Sequence, residues 1–239
     1  MKRALVTGGS GDIGGAICRR LGADGFHVIV HAGHRISHAQ QVAQGIVDAG
    51  GSGEAVSFDV GCTDACAAAL ERLLENGPVQ ALINNAGIHA DAPLAGMSSG
   101  QWHDVVNVSL NGFYNVTRPL LMAMMRTRWG RIINMSSVAG ILGNRGQANY
   151  AAAKAGLHAA GKSLALELAS RGITVNTVAP GVIAGTMTEE VFDMATIKQL
   201  VPAKRAGTPD DVAALVGFLA SDAAGYISGQ CIGVNGAMA

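Results

Sequence analysis

The chain has 239 residues, and its 17 Lys and Arg cancel its 17 Asp and Glu, so bulk electrostatics select neither nucleic acid nor an acidic membrane surface. This length suits one α/β domain over residues 1–239 with room for a sizeable core. Glycine, at 33 residues, is about twice its usual share and points to tight turns inside a fold, while a charged fraction of 14 % points to surface hidden in an oligomer.

The start Met1-Lys2-Arg3 is followed by an apolar stretch that stops at Thr7-Gly8-Gly9, far short of a secretory signal. No run approaches the roughly 18 apolar residues of a membrane helix, so a soluble, cytoplasmic protein is expected. Cys18, Cys62, Cys66 and Cys231 show no C-x-x-C spacing; Cys62 and Cys66 lie a helical turn apart, and reduced, partly buried thiols are the expectation. His31, His34 and His38 recur without an accompanying acid or Cys, which reads as a polar loop entering a helix, not a metal site.

Short runs rich in Val and Ile alternate with helical patterns along the whole chain, predicting a doubly wound, Rossmann-type parallel sheet of seven strands with helices on both faces. Strands are predicted at 4–7, 27–30, 55–59, 81–84, 131–135, 174–179 and 231–234. Helices are predicted at 13–21, 37–49, 64–75, 99–127, 149–170 and 209–220. Right-handed crossovers then put the ligand crevice at the carboxyl ends of the strands.

After the first strand comes Gly8, Gly9, Ser10, Gly11, Asp12, Ile13 and Gly14, opening a helix. Such a turn lets backbone approach a pyrophosphate, with the helix N-terminus supplying amides and partial positive charge. The second strand ends in His31-Ala32-Gly33-His34-Arg35, without the carboxylate that would bind the ribose 2′-hydroxyl of NAD. Arg35 and the histidines are instead suited to a 2′-phosphate, which favours NADP.

The fifth strand ends in Ser136-Ser137, and Tyr150 with Lys154 opens the following long helix. Positions i and i+4 share a helix face, so the ammonium is expected to stabilise the phenolate and lower the Tyr150 pKa toward working pH. Ser137 is placed to donate to the same substrate oxygen as Tyr150. Tyr-x-x-x-Lys alone is common and mostly accidental; with the strand-end serines and the glycine loop it forms a strong constellation.

With these residues in place, the chain resembles the short-chain dehydrogenase/reductase family, the matches being the glycine loop, Asp59-Val60, Asn84-Asn85-Ala86-Gly87, Ser137, Tyr150 with Lys154, and Pro180-Gly181. Residues 143–156, 170–176 and 225–230 look like bacterial 3-oxoacyl-ACP reductases, and 111–119 resembles ketoreductases of specialised pathways such as aryl polyene synthesis. The resemblance implies strand order 3-2-1-4-5-6-7, bound NADPH and a homotetramer formed through the two long helices and the C-terminal region. It implies that Tyr150 protonates the ketone as hydride reaches the carbonyl carbon, that Lys154 holds the nicotinamide ribose, and that Ser137 orients the carbonyl. It further implies that Asp59 and Val60 meet the adenine, that Asn85, Ala86 and Gly87 line the cofactor, with Pro180 and Gly181, and that the Ile183 backbone faces the carboxamide. Substrate contacts are implied for Ser137, Gln147 and Tyr150. Arg128 and Arg171 fall where such reductases dock the acidic acyl carrier protein, although solvated surface arginines are nearly as good a reading.

Three positions depart from the family pattern. Asp12 stands where a small residue is usual and is suited to capping the helix. Ser109 replaces an Asn that supports a helix kink and a proton path to the lysine, so this catalytic contribution is expected to be re-routed or weakened. Gly185 holds the usual Thr position, with Thr186 one place later. The expected function is NADPH-dependent reduction of a 3-oxoacyl thioester carried on acyl carrier protein, in fatty acid or specialised synthesis. The alternatives are a dehydrogenase of free ketones, sugars or steroids and, less favoured, an idle cofactor-binding subunit. Met187, Val191, Phe192 and Met194 in the segment 182–200 suit an apolar acyl or aromatic partner, though such residues are as often core.

Overall fold

The computed structural model describes residues 1–185 and 193–239; Thr186, Met187, Val191 and Phe192 lie outside the described residues. Its strands are β1 (Arg3–Val6), β2 (His27–Ala32), β3 (Ser52–Ser57), β4 (Ala81–Asn84), β5 (Gly130–Met135), β6 (Ile173–Pro180) and β7 (Cys231–Val234). All pair in parallel, in the order β3-β2-β1-β4-β5-β6-β7. The helices between them are α1 (Asp12–Ala23), α2 (Ile36–Asp48), α3 (Thr63–Glu75), α4 (Ser99–Val106), α5 (Gly112–Thr127), α6 (Ala139–Leu142), α7 (Ala148–Leu168), α8 (Met194–Leu200) and α9 (Pro209–Ala220).

The period of two along each strand sorts the core into two layers. Ala4 and Val6, with Val28, Val30, Ile83 and Ile133, pack against Ile17 and Leu21 of α1, Ile46 of α2 and Val216 and Leu219 of α9. Leu5, Ile29, Leu82 and Ile132 turn the other way, onto Leu70 and Leu73 of α3, Leu120 and Met124 of α5 and Leu168 of α7. Each such buried Leu or Ile contributes about 1.5–3 kcal/mol relative to exposure. Because β1 and β4 are neighbours and their following connections leave toward opposite edges, the switch point opens a crevice above Val6 and Asn84.

Three predicted elements are corrected. The single helix over 99–127 is two helices joined by a π-helical turn at Asn107–Asn111. Asn107 donates to Gly61 O at 3.2 Å and Asn115 to Val60 O at 2.9 Å, anchoring the widened turn to the loop after β3 and burying Ser109. β3 runs Ser52–Ser57, not 55–59, because this edge strand takes its register from β2 (His27 opposite Ser52) rather than from an apolar run. Asp12 is not the cap of α1: Gly11 is the N-cap, and Asp12 stands in the first turn.

Among the described residues, no helix is long and apolar enough to cross a membrane, and no group of three His, Cys, Asp or Glu is arranged to hold a metal. The four cysteines are free.

Candidate active site

A cavity of about 690 Å³ lies over the carboxyl ends of the strands, running from His34 and Arg35 past the glycine turn to Ser137, Tyr150 and Lys154. Its wall includes Gly8, Ser10, Gly11, Ile13 and Gly14, Asp59 and Val60, Asn85 to Gly87, and Pro180, Gly181 and Ile183. Gly9 is absent from that wall; it packs inward, where an added Cβ would lie 2.9 Å from Val30 Cγ1.

The glycine turn is built to stay bare. Gly8 has φ +64°, and a Cβ there would come within 3.1 Å of Ala86 Cα; a Cβ on Gly14 would collide with Gly8 O. Three of its amides are spent internally: Gly8 N–H on His31 Nδ1, Gly9 N–H on His31 O and Gly11 N–H on Gly8 O. The first turn of α1 then leaves Ile13 and Gly14 amides without an intrahelical acceptor, at the positive end of the helix dipole. Asn85 locks the turn from the other side, its Nδ2 donating to Thr7 O at 2.9 Å and Gly8 O at 3.1 Å. This bare, amide-edged turn, open to a long cavity, fits a dinucleotide pyrophosphate.

At the end of β2 the expected donors divide. Arg35 and His34 are exposed and line the cavity, while His38 joins Arg19 and Ser10 around an adjacent shallow groove. His31 is corrected from a phosphate donor: it is 1 % exposed, its Nδ1 accepts from Gly8 and its Nε2 meets Phe58 O at 2.8 Å. Asp12 lines the cavity too, and its carboxylate lies where a side chain at Gly185 would need to be, 2.6 Å from an added Cβ.

At the chemical end, α7 presents Tyr150 and Lys154 on one face. Lys154 is buried, donates from Nζ to Met135 O at 2.8 Å, and lies 5.6 Å from the Tyr150 ring centroid. Burial pulls its pKa down to about 8. Tyr150 moves against the sequence expectation: burial holds its phenol above the ordinary value, a hydrogen bond with Ser137 offsets part of this, and the Asp91 charge adds to it. The ammonium is turned to the Met135 carbonyl, and burial sets the direction for the phenol. The Ser109 hydroxyl is 3 % exposed and finds no hydrogen-bond partner among the described residues; it and Lys154 Nζ lie 3.6 and 3.1 Å from where a Cβ on Gly87 would stand.

Gln147 is not in the cavity wall: its Nε2 donates to Asp91 at 2.7 Å and its Oε1 accepts from Asn144 at 2.9 Å, so it orders the loop entering α7. Arg128 and Arg171 do come together, Arg128 reaching Ser170 O at 3.1 Å, but at the amino ends of β5 and β6, away from the cavity. Sequence reasoning missed several supports. Asn149 ties α7 down by donating to Ala90 O and Gln101 O and accepting from the Tyr150 amide. Thr7 Oγ1 accepts from the Asn85 and Ala86 amides. Ser136 donates to Lys154 O at 2.9 Å, so His158 Nε2, 2.6 Å away, must be its donor. Only adjacency to Tyr150 signalled Asn149 in the sequence, and Ser136 stood there as half of the strand-end pair, without this supporting role.

Comparisons with known proteins agree with this geometry. Curated relatives include the 3-oxoacyl-[acyl-carrier-protein] reductase FabG of Aggregatibacter actinomycetemcomitans, 42 % identical over 98 % of both chains. The protein of the same name from Escherichia coli is 45 % identical, over 99 % of this chain and 97 % of its own. Among solved structures, a putative gluconate dehydrogenase from Agrobacterium tumefaciens superposes with a TM-score of 0.95 at 31 % identity, over 99 % of this chain and 95 % of that one. The family model described as short chain dehydrogenase matches residues 2–196, and with it the glycine turn, Ser137, Tyr150 and Lys154; the chain belongs to the short-chain dehydrogenase family.

Proposed function

We propose that residues 1–239 form one catalytic unit that reduces a 3-oxoacyl thioester to the 3-hydroxyacyl thioester with NADPH. The observation that carries this reading is the single cavity joining the bare glycine turn and Arg35 to Ser137, Tyr150 and Lys154. The two relatives described above bear a name that states this activity.

Bound nicotinamide would supply the hydride to the ketone carbon. Tyr150, whose phenol stays protonated at neutral pH because burial raises it, gives its proton to the ketone oxygen as charge develops there. Ser137, half-buried beside it, donates to the same oxygen and holds it in line. Lys154, with a pKa of about 8, remains an ammonium at pH 7 and stabilises the phenolate left behind. The glycine turn and the start of α1 would hold the pyrophosphate, Asp59 and Val60 would take the adenine, and Arg35 with His34 would meet the 2′-phosphate. The orphaned Ser109 hydroxyl, which shares with Lys154 Nζ the space beside Gly87, suits a place on the path that returns a proton to the lysine.

Acyl carrier protein is the proposed carrier, with Arg128 and Arg171 as its basic contact. Because these stand at the amino end of β6, eight residues or about 26 Å from its carboxyl end, such a contact serves the active site of a neighbouring subunit. A homotetramer is proposed accordingly, built on exposed apolar side chains of the two long helices, Tyr114, Met122 and Leu166, and on Phe218 and Tyr226 toward the C-terminus. The cytoplasm is the proposed compartment.

The second reading, oxidation or reduction of a free hydroxy compound, is favoured by the likeness to the putative gluconate dehydrogenase. A panel of acetoacetyl thioesters, free ketones and sugar acids, each assayed with NADPH or NADP and with NADH or NAD, tests both. Thioester reduction dominated by NADPH is expected. Cofactor binding without turnover of any 3-oxoacyl thioester contradicts the first reading, and turnover of the free ketones or sugar acids alone favours the second.

A further inference from the structure

His31 lies beneath the glycine turn at the edge of the cavity lining, with both ring nitrogens engaged by backbone, and its hydrogen bonds fix its protonation state. A backbone amide only donates and a carbonyl only accepts. Nδ1, 3.1 Å from Gly8 N, must therefore carry a lone pair, and Nε2, 2.8 Å from Phe58 O, must carry the proton. The ring packs on Phe58 with centroids 4.2 Å apart, and the His31 carbonyl accepts from Gly9 N–H at 2.8 Å. One residue thus ties two consecutive amides of the turn to Phe58, which directly precedes the cavity-lining Asp59 and Val60.

We propose that His31 is a positioning residue of the cofactor site: its neutral imidazole clamps the glycine turn to the loop after β3, presetting the gap in which the adenosine half of a dinucleotide sits. The inference rests on the NADPH reading of the cavity. Burial supports it by pulling the imidazole pKa down to about 4, against the opposing influences of Phe58 O and the Asp59 charge, so the Nδ1 lone pair persists at working pH. Asn85 grips the turn from β4, but it reaches Thr7 O and Gly8 O and leaves the Gly8 amide to His31. Without the imidazole, the part-buried Gly8 N–H and the buried Phe58 O lose their hydrogen-bond partner, and each has a reason to move.

The test uses calorimetric titration of NADPH and of 2′,5′-ADP into wild type, His31→Phe and His31→Asn at pH 7.5, with melting curves for each. Phe keeps a ring and removes both hydrogen bonds, whereas Asn Oδ1 stands near the Nδ1 position and accepts from Gly8. His31→Phe is expected to weaken both ligands roughly tenfold, and His31→Asn to recover them to within about threefold of wild type. Equal affinity in wild type and His31→Phe overturns the clamp. So does an equal loss in both variants that follows only their melting temperatures, since that is the signature of a purely structural residue. If wild type itself binds neither ligand, the dinucleotide reading fails and takes the clamp with it.

Discussion

Lys154 is buried at 3 % exposure with its ammonium held by one carbonyl, and this should be visible in the pH dependence of stability. Its pKa is about 8 in the fold against 10.5 in the unfolded chain, so between those values the unfolded state binds more protons and stability rises with pH. Integrating the linkage relation from pH 7.0 to pH 9.5 gives about 2 kcal/mol gained by the folded state from this group alone. The perturbation is Lys154→Met, which keeps length and volume but cannot titrate. Urea unfolding of both proteins at pH 7.0 and 9.5, at fixed protein concentration, isolates the effect, because other groups largely cancel in the difference. Wild type should improve on the variant by about 2 kcal/mol across that interval, whatever the offset at pH 7.0. A difference that stays constant would mean an unperturbed lysine, and the placement of the ammonium in a dry pocket against Met135 O would be wrong.

Other outcomes follow from the same geometry. Arg35→Glu should lower the NADPH over NADH preference by roughly ten- to a hundredfold in kcat/KM, read from initial rates, since a carboxylate there repels a 2′-phosphate. Asp12→Ala should tighten NADPH roughly two- to fivefold in calorimetry by removing a negative charge from the cavity wall, most clearly at low salt. Arg128→Glu with Arg171→Glu should raise KM for a carrier-bound thioester while leaving the matching coenzyme A thioester unaffected; equal loss with both substrates would speak against carrier docking.

The seven parallel strands, the helices on both faces and the glycine turn were legible because parallel strands buried on both faces read as short Val and Ile runs between helical patterns, whereas the strand order came from the family resemblance. Tyr150 and Lys154 were legible because i,i+4 spacing fixes a shared helix face. What escaped was set by tertiary partners. Periodicity runs straight through 107–111, and only Asn107 and Asn115, bonding to carbonyls across the gap, reveal the π turn. His31 looked like a phosphate ligand because it sits just past an apolar strand, yet β2 extends to Ala32 and folds its imidazole under the turn. The Tyr150 pKa was misjudged in direction, since a nearby lysine is visible in the sequence and desolvation is not. Gln147 follows the same pattern, its amide consumed by Asp91 and Asn144, contacts that spacing along the chain does not reveal.

The most direct test of Tyr150 as the acid in a 3-oxoacyl thioester reduction is turnover by Tyr150→Phe, followed as NADPH absorbance with an acetoacetyl thioester alongside calorimetric NADPH binding. Removal of the hydroxyl alone should leave NADPH affinity within about threefold and lower kcat by roughly a hundredfold or more. A variant that binds NADPH and keeps kcat near the wild-type value would contradict the assignment.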